Sequence, residues 1–297
     1  MTGHDSKDSD IYEGPPGDEP KEIHEHFIEL AERLRRALIA VVVIGAVLSF
    51  IPTDFETYVP VISWLPQTVI KHVLPQQVSW RGHTYTVKIA QYSPLGGFNV
   101  LAKTALLLGL VGASPIIARE IYGWLAPGLY PHERRLLKRL VIVGGVLFGL
   151  GVLAAFLLVL PVAFKFMIIT SAVIAGQDTL VAFSDIEQLF DTIMLIAIAT
   201  GIAFESPLIV YLLVRLGFLS PEAVTGENRR YVALFSYIIG AFISPDPSGL
   251  GMLIIGTIMF ASIMAAARLA GRAVKEEEEA EQEAIRPAPL ITPAQER

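Results

Sequence analysis

The chain has 297 residues, of which 53% are hydrophobic and only 18% are charged, with a net charge of −6 at pH 7. A soluble protein of this length needs more polar surface, so the composition excludes an ordinary soluble domain and indicates a polytopic helical membrane protein. The absence of cysteine excludes disulfides, thiolate zinc sites and cysteine nucleophiles.

Long apolar runs predict six membrane-spanning helices, because roughly 20 apolar residues are needed to cross a hydrocarbon layer of about 30 Å. The last two runs are short and separated only by "SPDPS", which predicts a tight helical hairpin. The first twenty residues contain no apolar segment, so no cleavable signal peptide is expected. The predicted spans are residues 37–56, 99–119, 140–162, 191–214, 231–244 and 250–267.

The positive charges predict how these spans are oriented, because short cytoplasmic loops are enriched in Lys and Arg. With six spans, most of the 23 Lys and Arg residues fall on the side that carries both termini. We therefore expect a multi-pass protein of the cell membrane with both termini in the cytoplasm. The predicted division is an acidic disordered tail over 1–22, a membrane domain over 23–270 and a second acidic, disordered tail over 271–297.

Two segments on the outer side are too long to be simple connections. In residues 52–98, "YVPVISWLPQTVIKHVLP" predicts a short amphipathic helix at the membrane surface, and "HTYTVKIAQYSP" predicts a small β-hairpin. The segment over 163–189 is also semi-apolar. We expect the two outer segments to pack together as an external cap.

Catalytic and nucleotide-binding motifs are absent from the sequence. No Walker A motif is present, and all six His residues lie outside the predicted spans, which excludes an intramembrane Ser–His dyad or zinc site. No basic face suited to nucleic acid is found. We therefore expect no enzymatic activity, no cofactor, no metal and no nucleic-acid partner.

Two ionisable side chains fall inside predicted spans, where each costs roughly 2.5–3.5 kcal/mol on insertion scales. Lys103 lies near the outer end of span two, where snorkelling to the interface accounts for it without a function. Glu205 lies near the middle of span four, and Pro207 frees a backbone carbonyl beside it. We interpret Glu205 as lining a wet or partner-facing cavity; the alternative is a protonated carboxyl bonded to a neighbouring helix.

Two stretches on the cytoplasmic side carry candidate binding residues. "HEHFIELAERLRRAL" predicts an amphipathic helix that leads into span one and includes Glu29, and "GWLAPGLYPHERRLLKRL" joins spans two and three and includes Glu133. Two carboxylates on one surface can hold the guanidinium groups of a partner by bidentate bonds. Taken singly, each is best explained as an ordinary solvated surface charge.

In this order, several stretches resemble the TatC family, the multispanning receptor subunit of the twin-arginine protein translocase. The likeness extends from about residue 24 to about residue 260, and its most specific pieces are "APGLYPHERR" and "FESP". The other matching pieces are "HFIELAERL", "YSPLGGF", "LFGLGVLAAFLLVLPVAFKF", "GFLSPEAV", "RRYVAL" and "FISPDPS".

The resemblance implies an all-α fold, a cupped bundle of six transmembrane helices with both termini inside. It implies a receptor for twin-arginine signal peptides of folded cargo proteins, which recruits TatA- and TatB-type single-span subunits and uses the proton-motive force. It also implies a homo-oligomer within a larger complex in the lipid bilayer.

The same resemblance implies roles for particular residues. Glu29 and Glu133 would form the twin-arginine recognition site, and Glu205, beside Pro207, would face the concave side and contact TatA-type partners. The residues expected to flank the recognition site are Arg33, Trp124, Leu125, Pro127, Tyr130, Arg134 and Arg135.

The sequence departs from the family pattern at several positions. Ala31 stands where the family often has arginine, and Asp246 in "SPDP" lies one place earlier than the usual acid. Two other functions remain open at this stage. One is a proton-coupled secondary transporter that uses Glu205 and Lys103, and the other is a structural scaffold without ligand specificity.

Overall fold

The structure is a computed structural model, and it describes residues 23–54, 56–126, 131–175 and 181–285. The described residues form a helical bundle with a small three-stranded sheet at one end, which we call the cap end. The helices are α1 Ile23–Ser49, α2 Val61–Val73, α3 Gly96–Leu125, α4 Pro131–Ala154, α5 Leu160–Ala175, α6 Ile186–Ala203, α7 Ser206–Arg215, α8 Pro221–Thr225, α9 Arg229–Ile243 and α10 Leu250–Ile285. The strands are β1 Gln77–Trp80, β2 His83–Ala90 and β3 Val181–Asp185.

Four helical segments of the described chain are long and apolar enough to cross a membrane by length and composition. They are Gly96–Leu125, Arg134–Ile174, Ile186–Arg215 and Leu250–Ala280. Helices α1 and α9 occupy the positions of the other two predicted spans, although α1 ends at Ser49, before the predicted end at residue 56. Helix α9 has 15 residues. At 1.5 Å per residue it is about 22 Å long, so it is shorter than the hydrocarbon layer.

The cap is built from both outer segments, as predicted. Strands β1 and β2 form an antiparallel hairpin whose turn contains Arg81 and Gly82 at φ +51° and +86°. Strand β2 also pairs in parallel with β3, which joins the two segments in one sheet. The predicted amphipathic helix is α2, which buries Val69 and Val73 against the bundle.

Span three is longer than predicted, because the chain stays helical from Arg134 to Ile174. Pro161 cannot donate a backbone hydrogen bond, and a five-residue π-helical turn over Ala155–Val159 precedes it. The helix therefore passes the proline instead of ending near it. Among the described residues of the 163–189 segment, those of β3 contribute to the sheet of the cap.

Glycine lets α1 and α3 approach closely along the membrane-spanning part of the bundle. A Cβ placed on Gly45 would overlap the carbonyl oxygen of Ala105, and one on Gly109 would overlap the carbonyl oxygen of Val41. Such small-residue contacts are typical of packed transmembrane helices. The packing fixes the register of α1 on α3 and thereby places the amphipathic start of α1 beside the end of α3.

Helices α9 and α10 form the predicted hairpin, and its turn is closed by a buried carboxylate. Asp246 accepts hydrogen bonds from the hydroxyls of Ser244 and Ser248 and from the backbone N–H of Gly251. Helix α10 then continues to Ile285, so the first part of the predicted acidic tail is helical. The core of the bundle centres on the π-helical turn and α5, α6 and α10, where Leu160, Ile193, Ile196 and Ile255 are fully buried.

Candidate functional site

An ion pair on α1 marks the end of the bundle opposite the cap. The Nε and Nη2 atoms of Arg33 lie 3.1 and 2.7 Å from Oε1 of Glu29, one helical turn earlier. Glu29 and Arg33 were both predicted as site residues, and the helix geometry brings them together because positions i and i+4 lie on one face. Both side chains are partly buried, at 23% and 21% exposure.

Glu120, near the end of α3, is the most buried carboxylate among the described side chains of this region, with 5% of its surface exposed. Three guanidinium groups surround it. Arg33 Nη1 lies 3.7 Å and Arg36 Nη1 lies 3.5 Å from its Oε2, while Arg119 Nη2 lies 3.2 Å from its Oε1. A buried carboxylate with several cationic partners is stable only while they remain, because removing them strands a charge.

The end of α3 is shaped to receive these groups. A Cβ on Gly123 would overlap Nη1 of Arg33, so the missing side chain makes room for the guanidinium. Trp124 stacks on His26 of α1 with ring centroids 4.8 Å apart. The buried Nε1–H of this Trp has no acceptor among the described residues. The α1–α3 junction therefore combines the carboxylates of Glu29 and Glu120 with the guanidinium of Arg33 that lies between them. It also contains the buried N–H of Trp124, which has no acceptor among the described residues.

The other predicted recognition residues follow α3. Leu125 is 40% exposed, while Arg134 is partly buried and Arg135 is exposed at the start of α4. Pro127 and Tyr130 lie outside the described residues. Glu133 lies in the first turn of α4, but its side chain is outside the described part, so its pairing with Glu29 stays a prediction.

Glu205 lies at a break between α6 and α7. Pro207 has no N–H to give to the carbonyl of Ala203, and the hydroxyl of Ser206 donates to that oxygen at 2.7 Å instead. The same arrangement occurs in α3, where the hydroxyl of Ser114, the residue before Pro115, donates a hydrogen bond to the carbonyl oxygen of Val111 at 2.7 Å. The freed carbonyl predicted beside Glu205 is therefore satisfied locally.

The carboxylate of Glu205 borders a cavity of about 470 Å³ between α3, α4, α6 and α7. It packs near Gly144, where a Cβ would lie 3.3 Å from its Oε2, and no ion pair joins it within the described residues. The lining is otherwise almost entirely apolar and runs along α3 from Leu110 to Leu125. The cavity thus extends along α3 as far as Leu125, the residue after Trp124.

The comparisons with known proteins decide the family. A family profile described as "Sec-independent protein translocase protein (TatC)" matches residues 25–257. The chain belongs to the TatC family. It is 33% identical to the Sec-independent protein translocase protein TatC of Aquifex aeolicus (strain VF5) over 164 residues, which are 54% of this chain and 66% of that protein. It is 30% identical to the TatC of Escherichia coli (strain K12) over 222 residues, or 74% and 77% of the two chains.

A solved structure of the TatC family has a related fold. The structure described as "Crystal Structure of Twin Arginine Translocase Receptor- TatC" superimposes with a TM-score of 0.57 at 26% identity, covering 82% of this chain and 99% of that one. The family match and this superposition together identify the chain as a protein-translocase component of the membrane with the TatC fold.

Lys103 is held at the cap end of this TatC-family bundle. Its Nζ lies 2.6 Å from Oδ1 of Asp191 and 4.0 Å from Oε1 of Glu187. Asn99 donates to the same Glu187 oxygen at 2.7 Å. Among the described residues Lys103 does not line the cavity of Glu205, and no group of His, Asp and Glu there could hold a metal ion.

The sequence reasoning missed Glu120 and Gly123. At the end of span two, Glu120 resembles an ordinary interfacial charge, and its contacts with α1 join residues more than eighty positions apart. One signal was available, because Glu120 lies four residues before Trp124 and therefore on the same helix face. Gly123 becomes meaningful only when Arg33 is placed against it.

Proposed function

We propose that this TatC-family protein is the receptor for signal peptides that carry two adjacent arginines. It lies in the cell membrane with both termini in the cytoplasm, and it binds folded cargo proteins through their signals. The arginine pair docks on Glu29 and Glu133, and the apolar segment of the signal enters the bundle. Trp124, Leu125, Pro127, Tyr130, Arg134 and Arg135 shape the surface around the pair.

The observation that carries this proposal is the combination of two features on one helix. The end of α3 bears a carboxylate–guanidinium cluster, and the residues around it line an apolar cavity. Tyr122 and Leu125 of the lining flank Gly123 and Trp124 of the junction. A peptide with arginines before an apolar segment has its charges and its apolar part in the matching order.

Glu205 serves a second step in this proposal. It is partly buried in an apolar wall, and no ion pair neutralises it within the described residues. Because an intramembrane carboxylate is costly when left alone, it suits the polar group of a TatA- or TatB-type single-span helix. Docking of the signal recruits these subunits, and the proton-motive force supplies the energy for passage.

The decisive experiment measures binding of a synthetic signal peptide to the purified full chain in nanodiscs. The control peptide has both arginines changed to lysine, which keeps the charge and removes the planar fork. We expect the arginine peptide to bind at least about tenfold more tightly, since bidentate charge-assisted bonds are lost with lysine. Glu29→Gln and Glu133→Gln should each reduce that preference, and equal binding of both peptides to the native chain would refute the receptor function.

The role of Glu205 is tested separately by site-specific crosslinking to TatA- and TatB-type subunits in membranes. Glu205→Gln keeps the shape but not the charge, and Glu205→Ala removes both. We expect normal signal-peptide binding and weaker crosslinks with each variant. Unchanged crosslinking in both would remove Glu205 from the partner contact while leaving the receptor function standing.

The structure gives the transporter alternative little support. That function needs Lys103 and Glu205 to act together, and Lys103 is instead paired with Asp191 at the cap end. Liposomes that contain only this chain should therefore show no proton-coupled uptake of small solutes.

A further inference from the structure

Within the protein, the guanidinium of Arg33 already makes the kind of contact with carboxylates that the proposed function requires of a signal arginine. Its fork lies on Oε1 of Glu29, and its remaining nitrogen reaches Oε2 of Glu120 at 3.7 Å. We propose that Glu120 is a further guanidinium acceptor of the signal-peptide site, and that Arg33 is an internal occupant which a signal arginine displaces. This inference rests on the proposed receptor function and adds a residue and a competition to it.

The ion pairs around Glu120 make such an exchange feasible. At 3.7 Å the contact of Arg33 with Glu120 is an ion pair without a hydrogen bond, so it is the loosest of the three. Arg36 and Arg119 stay on Glu120 when Arg33 leaves, so the buried carboxylate is never stranded. Arg33 and Glu29 are 21% and 23% exposed, and a ligand can therefore reach them.

The surroundings of Arg33 provide independent support. Gly123 leaves a space against α3 that is filled by a guanidinium and that any side chain would close. The next residue, Trp124, holds a buried indole N–H without an acceptor among the described residues. Buried donors are nearly always satisfied, so this one suits a backbone carbonyl of an extended peptide lying beside the exchanged arginine.

A purely structural role for Arg33 predicts a different outcome. Glu and Arg at i and i+4 commonly stabilise a helix by a small amount, and removing such a pair loosens the site. Signal affinity would then fall or stay constant when Arg33 is removed. Competition predicts that the affinity rises, because the incoming arginine no longer displaces an internal one.

The first test compares Arg33→Met with Arg35→Met on the full chain in nanodiscs. Arg35 is exposed on the same helix, joins no ion pair among the described residues, and loses the same charge. We expect the twin-arginine peptide to bind about tenfold more tightly to Arg33→Met, the scale of one charge-assisted bond, and unchanged to Arg35→Met. A lower or unchanged affinity in a folded Arg33→Met protein would overturn the competition.

Arg33→Lys is the second variant, and it tests the same competition if Arg33→Met does not fold. Lysine keeps the charge but cannot bridge two carboxylates with a planar fork. The peptide should then bind roughly threefold more tightly, because a weaker competitor remains. An affinity equal to that of the native chain would count against Arg33 as the occupant.

Glu120 is tested with peptides in which only one of the two arginines is lysine. We expect Glu120→Gln to bind the twin-arginine peptide about tenfold more weakly and to lose discrimination at one of the two positions, since one acceptor is missing. A structural defect would weaken all peptides alike and keep both discriminations, which would overturn the assignment of Glu120. If the native chain itself shows no preference for arginine, the proposed function has failed instead.

Discussion

Glu120 and Glu205 are both carboxylates on the inner surfaces of membrane helices, but their surroundings are opposite. Glu120 is 5% exposed and is met by Arg33, Arg36 and Arg119. Glu205 is partly buried in the wall of an apolar cavity, without an ion pair in the described part of the chain. One charge is balanced within the molecule, and the other is not.

The difference teaches how the two positions can serve binding. A carboxylate that is already paired, such as Glu120, can bind a new guanidinium only by exchanging it for one that is already there. Such an exchange can select between ligands, but it adds few new ion pairs. A carboxylate without an ion pair gains directly from a polar partner in the membrane. Under the proposed function, the first position suits discrimination between signals, and the second suits assembly with another helix.

The largest expected effect separates the two carboxylates by stability. Glu120→Leu removes the acceptor that three guanidinium groups share and should destabilise the fold by about 2 kcal/mol. This is less than the cost of leaving a fully buried charge unpaired, because Arg36 and Arg119 are 54% and 70% exposed. Glu205→Leu removes a carboxylate from an apolar wall and should leave stability equal or higher. Thermal unfolding of the purified chains in detergent measures both, and equal midpoints for the two variants would erase the distinction.

A second prediction addresses the space that Arg33 fills. Gly123→Ala places a Cβ on the end of the flexible Arg33 side chain, which can move aside, so the variant should displace Arg33 from Glu120 and cost about 1 kcal/mol, the scale of the lost ion pair. The matched control is Gly149→Ala on α4, where the nearest atom would be 3.9 Å away. The control should be neutral or slightly stabilising in the same unfolding assay, because alanine favours helix. Equal behaviour of the two variants would show that Arg33 does not need Gly123.

The sequence was sufficient to predict Glu205 and insufficient to predict Glu120, for a physical reason. An acid in the middle of an apolar run is conspicuous because the bilayer gives it no solvent. An acid at a span end resembles any interfacial charge, and only the packing of α1 on α3 buries it. Glu29 was predictable from its amphipathic stretch, and Arg33 and Trp124 from the resemblance to the TatC family. The structure brings α1 and α3 together at this place through contacts between distant segments.

The ends of the helices and the sheet of the cap were also only partly predictable from the sequence. The β1–β2 hairpin was predictable from alternation, but its parallel partner β3 is too distant along the chain to be recognised. Span three was predicted to end at residue 162 from the extent of its apolar run, but the chain stays helical to Ile174 although a proline usually interrupts helical hydrogen bonding. The π-helical turn over Ala155–Val159 lets the helix continue, and no local pattern indicated it.

A third prediction sharpens the comparison at the backbone around Glu205. Ser206→Ala removes the hydroxyl that donates to the carbonyl oxygen of Ala203. Ser114→Ala removes a hydroxyl that donates to the carbonyl oxygen of Val111 and lies 3.0 Å from that of Gly145. We expect losses of about 0.6 kcal/mol for Ser206 and about 1 kcal/mol for Ser114, within the range measured for membrane hydrogen bonds. Unfolding in detergent tests the order, and a larger loss at Ser206 would mean that its hydroxyl also supports Glu205.

The smallest expected effect concerns the exposed edge of the cluster around Glu120. Arg36 Nη2 lies 3.5 Å from Oε2 of Glu32, but these side chains are 54% and 56% exposed. Glu32→Gln should therefore change stability by less than about 0.5 kcal/mol, as for surface ion pairs. At about 1 M salt, where screening acts over roughly 3 Å, even that difference should vanish. Glu120→Leu should stay destabilised in the same buffer, because the Glu120 side chain is only 6% exposed and its contact with the partly buried Arg33 is screened less by salt. Loss of both differences in salt would mean that burial does not separate Glu120 from its neighbours.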